Sequence, residues 1–143
     1  MELPSPDTGL VIRYGYLWSH EADAGAETAS KSRPCAIVVA TALRDGDLLA
    51  TVVPITHRQP PPEANAVELP VSLKTRLGLD SERSWVVTHE TNVFRWPGPD
   101  LERIAGEEAV AYGRLTRNIY EAVRTRLLAH ARSGRLRLTK RTE

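Results

Sequence analysis

Apolar and polar residues alternate along the first ordered segment of the chain. Over residues 9–18 the large apolar side chains fall at every second position, which is the period of a β-strand with one buried face. These side chains are Ile12, Tyr14, Tyr16 and Trp18. The small, polar and acidic residues 19–32 that follow predict a long loop, and loops of this length in compact domains are often functional.

Two further apolar segments flank a turn signal. Residues 34–41 and 48–55 contain several β-branched side chains, and the Asp45-Gly46 pair between them is typical of a hairpin turn. Three consecutive prolines predict an extended loop over residues 59–65. Shorter strands are predicted over residues 66–69, 84–88 and 92–96, and a short helix over residues 72–77.

The last third of the chain changes to a helical period. Apolar residues recur there at spacings of three and four, at Leu115, Ile119, Ala122, Val123 and Leu127. Thr116 and Gly134 mark the expected start and end of this helix. Five or six short strands and one long terminal helix predict a mainly β protein, in which the helix caps a small barrel. We expect one domain over residues 1–143, with the barrel at about 9–100, the helix at about 115–133 and a basic tail at 134–143.

The composition agrees with one folded domain. The 143 residues, 41% hydrophobic and 26% charged, exclude a disordered chain. No apolar run reaches the length of a membrane span and no signal peptide is visible, so we expect a cytoplasmic protein without a membrane partner. The single cysteine, Cys35, excludes an internal disulfide and lies in a predicted buried strand, where we expect a core residue and not a nucleophile.

The net charge of +1 conceals a division along the chain. Residues 112–143 carry nine basic and two acidic side chains, a net charge of +7, whereas residues 1–111 carry −6. Most of the basic residues are arginines, which pair well with phosphate oxygens, so the basic end favours contact with nucleic acid or an acidic protein segment. A solvated helix followed by a frayed tail explains the same charges equally well.

Two segments resemble a known protein family. Arg33-Pro34 opens an apolar strand, Pro54-Ile55-Thr56 ends the next one, and a His20-Glu21 pair precedes both. This ordered set resembles the MazF/PemK (Kid) family of toxin endoribonucleases over roughly residues 9–100. The resemblance implies a small SH3-like barrel of the MazF, PemK and CcdB type, and a homodimer.

The resemblance also implies an activity and a partner. The expected activity is metal-independent cleavage of single-stranded RNA, without a cofactor, to 2′,3′-cyclic phosphate and 5′-hydroxyl ends. The expected setting is a toxin–antitoxin system, in which the protein inhibits growth and the acidic tail of an antitoxin occupies the RNA groove.

Four residues are the candidates for catalysis. Metal-free cleavage requires a base for the 2′-hydroxyl, stabilisation of the phosphorane charge and a proton for the leaving oxygen. Arg33 is the candidate for charge stabilisation, and the Thr56 hydroxyl for a hydrogen bond to a phosphate oxygen. Glu90 falls where PemK-type members carry a general base, and His20 is a natural proton carrier.

Further polar residues are candidates for substrate binding, namely Glu21, Lys31, His57, His89 and Asn92. Each of them is also explained as an ordinary strand-end or turn residue. The four histidines show no metal-ligand spacing on a helix, so no metal site is expected. Trp96, followed by Pro-Gly-Pro, is the aromatic residue most expected to be exposed for base stacking.

A non-catalytic barrel that binds nucleic acid or a partner protein is the alternative to the nuclease. Three departures from the family pattern motivate it: the long loop over residues 19–32, Ala22 in place of a glutamine, and Thr88 in place of an arginine. Such a protein would bind RNA without forming product ends.

Overall fold

The computed structural model describes residues 3–29 and 31–141 and shows a curled, mainly antiparallel half-barrel of eight strands with a C-terminal helix. The strands are β1 Leu10–Tyr14, β2 Arg33–Ala42, β3 Leu48–Thr56, β4 Val67–Glu68, β5 Trp85–Val86, β6 Glu90–Trp96, β7 Ala111–Arg114 and β8 Arg137–Lys140. The helices are α1 Ser19–Asp23, α2 Val71–Arg76 and α3 Arg117–Arg132, with a short 3-10 turn at Pro62–Ala64. The mainly β class with a terminal helix is therefore confirmed.

The predicted hairpin is present as β2 and β3. Its turn contains Gly46 with a positive φ of 91°, a conformation that glycine adopts without the steric cost of a Cβ atom. Cys35 pairs with Pro54, and a bulge between Ile37 and Val39 bends the strands. This bend contributes to the curl that separates the two faces of the sheet.

One edge of β3 pairs with β2, and two strands share the other edge. Its first half, from Leu48 to Val52, pairs with β6, whereas Ile55 and Thr56 pair with β5. The chain between β5 and β6, residues 87–89, turns a corner at this point, held by a hydrogen bond from the Val87 amide to the Pro54 carbonyl. The corner brings the start of β6 close to the end of β3.

Apolar side chains form a core on each face of the sheet. On one face α2 and α3 cover Val11, Val53 and Ile55, and α3 contributes Val123 and Leu127 from its predicted stripe. On the other face lie Leu10, Ile12, Tyr14, Tyr16, Cys35, Ile37, Ala50, Val52 and Phe94. Cys35 is fully buried, as expected, and burial raises the pKa of its thiol far above the usual range.

Three sequence predictions need correction. The segment predicted as a loop over residues 19–32 contains α1, and the described residues form eight strands instead of the five or six expected, among them β7, which pairs with β1. The tail is not frayed over residues 137–141, because β8 pairs in parallel with β6 and Arg141 is buried behind it. Residue 30 of that loop and residues 142 and 143 of that tail lie outside the described residues.

Within residues 3–29 and 31–141, no helix combines the length and the apolar character needed to cross a membrane.

Candidate active site

An open groove of about 710 Å³ lies where β2 begins and β3 ends. Four segments line it: the chain after β1 with α1, the start of β2, the end of β3 with its following loop, and the corner before β6. Eight of the nine predicted site residues line this groove, namely His20, Glu21, Lys31, Arg33, Thr56, His57, His89 and Glu90.

Arg33 and Thr56 lie at the adjoining ends of the two hairpin strands, and both line the groove. The pairing of β2 with β3 runs up to Cys35 and Pro54, two residues before each of these ends. The Thr56 Oγ1 accepts a hydrogen bond from the Arg58 amide at 3.2 Å, which leaves the hydroxyl proton free to be donated.

The Arg33 guanidinium carries unused donors. Its Cζ lies 4.9 Å from the centre of the Trp18 ring, a cation–π contact that orients the side chain. Its Nε is buried without a hydrogen-bond partner, and no carboxylate among the described residues lies within ion-pair distance. A half-buried cation with free donors is suited to bind phosphate oxygens.

Glu90 is buried, and its carboxylate is already occupied. Oε1 accepts hydrogen bonds from the Tyr16 hydroxyl and the Ser19 amide, both at 3.0 Å, and Oε2 accepts one from the Ser19 hydroxyl at 3.1 Å. Burial, reinforced by the Glu90 charge, raises the pKa of Tyr16 well above its usual range, so the phenol keeps its proton and donates. This arrangement fixes the chain before α1 and is the geometry of a positioning carboxylate.

His20 and Glu21 lie on α1, the short helix that forms one wall of the groove. His20 is exposed, with its ring 6.5 Å from the Trp18 ring and nearly parallel to it. Glu21 Oε1 accepts a hydrogen bond from the Trp18 amide at 3.1 Å, which satisfies a free donor at the start of the helix. His20 is therefore open to a substrate, whereas one oxygen of Glu21 supports the helix.

His57 has acceptors near both ring nitrogens. Nε2 lies 2.7 Å from Asp80 Oδ2, and Nδ1 lies 3.1 Å from both the Arg83 carbonyl and the Ser84 hydroxyl. A carboxylate and a carbonyl can only accept, so a ring proton on either nitrogen finds an acceptor and the contacts hold the ring in place.

The groups around His57 also form the one set of potential metal ligands found among the described residues. His57, Asp80 and Glu82 offer ligand atoms within 4.8 Å of one another, and all three residues are exposed. The Lys74 ammonium contacts Asp80 Oδ1 at 3.1 Å and also bonds the Glu82 carbonyl. A protein cation thus already engages the carboxylate of Asp80.

His89 lines the groove, whereas Asn92 does not. His89 Nε2 is 3.9 Å from Glu90 Oε2, and its Nδ1 is buried without a hydrogen-bond partner among the described residues. Asn92 is fully buried, and its amide bonds both the N–H and the carbonyl of Leu17, at 2.9 and 2.8 Å. The structure thus gives Asn92 a place behind the groove wall instead of a contact with substrate.

Two residues important to the groove were not among the sequence candidates. The first is Trp18, which lines the groove although its alternating position indicated a core face. Trp96, the aromatic residue expected to be exposed, is instead half-buried against Phe94 outside the groove. The second is Arg141, which donates to Asn92 Oδ1 at 3.2 Å and so supports the wall from behind. No local sequence signal marks Arg141, because its partners are distant in the chain.

Comparison with protein-family models, with curated proteins and with solved structures gives no match.

Proposed function

We propose that the protein is a metal-independent endoribonuclease of the MazF/PemK type, built on an SH3-like barrel. It would cleave single-stranded RNA to 2′,3′-cyclic phosphate and 5′-hydroxyl ends. On this proposal it acts in the cytoplasm as a homodimeric growth inhibitor. An antitoxin with an acidic segment would then compete with RNA for the groove.

One observation carries the proposal: Arg33, Thr56 and His20 reach one open groove from three separate segments of the chain. Arg33 would bind the phosphate and stabilise the phosphorane charge, because no carboxylate among the described residues engages its donors. Thr56 would donate its hydroxyl proton to a second phosphate oxygen.

We assign the two proton transfers to histidines that line the groove. The 2′-oxygen attacks the adjacent phosphorus as its proton passes to a base, and the bond from phosphorus to the 5′-oxygen breaks as that oxygen is protonated. His20 is an exposed imidazole on α1, and His89 lines the groove from the corner before β6. Glu90, engaged by three donors, would position Ser19 and α1 instead of acting as the base.

The test is incubation of long single-stranded RNA in EDTA with the wild type, Arg33→Ala and Arg44→Ala, followed by analysis of the fragment ends. Arg44 is exposed at the hairpin turn, at the far end of β2 from Arg33, and is the matched control. We expect cyclic-phosphate ends from the wild type and Arg44→Ala and none from Arg33→Ala. Cleavage retained by folded Arg33→Ala would contradict the assigned role.

The roles of His20 and Glu90 separate in the same assay. His20→Ala should reduce the cleavage rate about a hundredfold or more if the imidazole transfers a proton. Glu90→Gln keeps the shape of the side chain and should retain cleavage within about tenfold while lowering thermal stability. A larger loss of cleavage rate in Glu90→Gln than in His20→Ala would identify Glu90 as the general base.

A binding module without catalysis is the second candidate, and the occupied carboxylate of Glu90 favours it. A groove whose buried carboxylate is engaged by protein donors can still bind a phosphate backbone through Arg33. This function predicts a gel shift of RNA that depends on Arg33 and is lost as salt rises, with the RNA remaining intact.

A further inference from the structure

We propose that a second pocket beside Arg33 binds another phosphate of the same RNA strand, with Arg13 as its principal ligand. The pocket has a volume of about 290 Å³ and shares Lys31, Arg33 and His57 with the groove. That it binds an anion is inferred from its own charges, and only the identity of the ligand as RNA rests on the proposed function.

The arginines of this pocket have no carboxylate within ion-pair distance among the described residues. Arg13 is half-buried, and its guanidinium makes one hydrogen bond among the described residues, from Nη1 to the Tyr112 hydroxyl at 3.4 Å. Arg33 is also half-buried, and its Nε has no hydrogen-bond partner within the described chain. Arginines such as Arg44 and Arg132 also lack a carboxylate partner, but they are exposed and remain solvated. Partly desolvated, unpaired guanidinium groups cost free energy, which an incoming anion offsets.

The one carboxylate that lines the pocket is already engaged. Asp80 Oδ1 accepts from Lys74 at 3.1 Å, and Asp80 Oδ2 contacts His57 at 2.7 Å. Its charge is thus matched by groups other than Arg13 and Arg33. The pocket keeps an excess of positive charge from Arg13, Lys31 and Arg33.

The linings of the two cavities point to neighbouring phosphates. Arg13 is paired with Pro34 and Arg33 with Tyr14, so the two side chains leave opposite faces of the sheet at neighbouring positions, and both line the pocket at this edge. The groove and the pocket meet at Arg33, so a strand that runs through one continues into the other. Because RNA carries a phosphate at every nucleotide, a ligand with two consecutive phosphodiesters would occupy both.

The experiment is a titration with uncleavable ligands. A 2′-O-methyl trinucleotide without terminal phosphates carries two phosphodiesters, and the matching dinucleotide carries one. The 2′-O-methyl group prevents attack by the 2′-oxygen, so binding is measured apart from cleavage. The proteins are the wild type, Arg13→Gln, Tyr112→Phe and the control Arg44→Gln, each checked for folding by circular dichroism.

We expect Arg13→Gln to weaken binding of the trinucleotide about tenfold, the loss typical of one charged hydrogen bond. The slope of log affinity against log salt should become shallower by about 0.7, the value for one phosphate contact on a single strand. Arg44→Gln should bind as the wild type does, and the dinucleotide should not distinguish Arg13→Gln from the wild type. Tyr112→Phe keeps the charge but loses the contact that orients Arg13, so its loss should be smaller.

Equal affinities of Arg13→Gln and Arg44→Gln for the trinucleotide would overturn the proposal, whether or not RNA is cleaved. So would an unchanged tenfold loss in Arg13→Gln when both linkages of the trinucleotide are neutral methylphosphonates. Binding that depends on Arg13, found together with uncleaved RNA, would sustain the pocket and refute the nuclease. Cleavage of RNA, found together with binding that does not depend on Arg13, would sustain the nuclease and refute the pocket.

Discussion

Replacing Arg141 by methionine tests whether the basic tail is part of the folded domain. The Arg141 side chain is 1% exposed, and its Nη1 donates to the Gly15 carbonyl, the Tyr14 hydroxyl and Asn92 Oδ1 at 2.6, 3.1 and 3.2 Å. Its Nη2 lies 3.0 Å from Asp100 Oδ2. Methionine preserves much of the apolar volume but removes the charge and all of these donors.

The expected loss of unfolding free energy depends on the polar groups that Arg141→Met leaves without their partner. Asp100 is one-quarter exposed and regains solvent, and Asn92 keeps its bond to the Leu17 amide, so these two groups lose little. The Gly15 carbonyl loses a short, charge-assisted bond in a buried place, and a buried acceptor left without its donor costs about 1–3 kcal/mol. We expect a loss of about 3 kcal/mol in the free energy of unfolding, at the upper end of that range because the Tyr14 hydroxyl loses the same donor.

The assay is urea unfolding followed by tryptophan fluorescence. Arg135→Met is the matched control, because Arg135 belongs to the same tail but is exposed, and its change should stay within about 0.5 kcal/mol. A loss below about 1 kcal/mol for Arg141→Met would refute the inference that the tail is integrated. The tail would then be the frayed segment that its charge pattern also allowed.

Three further predictions concern stability and reactivity. Leu127→Ala should cost about 3 kcal/mol in urea unfolding, because this buried α3 side chain would leave a cavity, and a loss under about 1 kcal/mol would contradict its core position. Cys35 should not react with a thiol reagent in the native protein, since it is fully buried with a raised pKa, but should react fully in denaturant; rapid native labelling would contradict this burial. Partial burial raises the pKa of Asp80, but the hydrogen bond from Lys74 and the charge of His57 outweigh it, so the pKa is lowered overall. The resulting stabilisation is complete above the unfolded value of about 4 and is lost as the pH falls through the lowered pKa. Asp80→Asn should therefore be less stable than the wild type at neutral pH, with a difference that vanishes in strong acid; a difference independent of pH would contradict this linkage.

Elements with local signals could be predicted from the sequence. The Asp45-Gly46 turn fixed the position of the hairpin, and the apolar stripe gave α3 to within a residue or two at each end. The strand β7, Ala111–Arg114, and the helix α1, Ser19–Asp23, are too short and too polar to stand out from a loop. Their stability comes from neighbours in the fold, which no local pattern contains.

In the candidate site, too, only the residues brought together by local pairing could be predicted from the sequence. Arg33 and Thr56 could be placed near each other, because one hairpin joins them and its register follows from its turn. The burial of Glu90 and Asn92 could not be foreseen, because their partners at Tyr16, Leu17 and Ser19 lie more than 70 residues away in the chain. Polar residues at a strand start look alike in sequence whether they face a substrate or support a wall.

The position of Arg141 in the sheet has a consequence for the kinetics of folding. Arg141 and Tyr14 are 127 residues apart in sequence, and the other partners of Arg141 are the Gly15 carbonyl, Asn92 of β6 and Asp100. These segments must assemble before the guanidinium has a place to bind, so we expect the tail to dock after the rate-limiting step of folding. Stabilisation gained after the transition state appears in the unfolding rate, and about 3 kcal/mol corresponds to roughly a hundredfold in that rate. On this expectation the last strand governs how long the native state persists and has little influence on how quickly it forms.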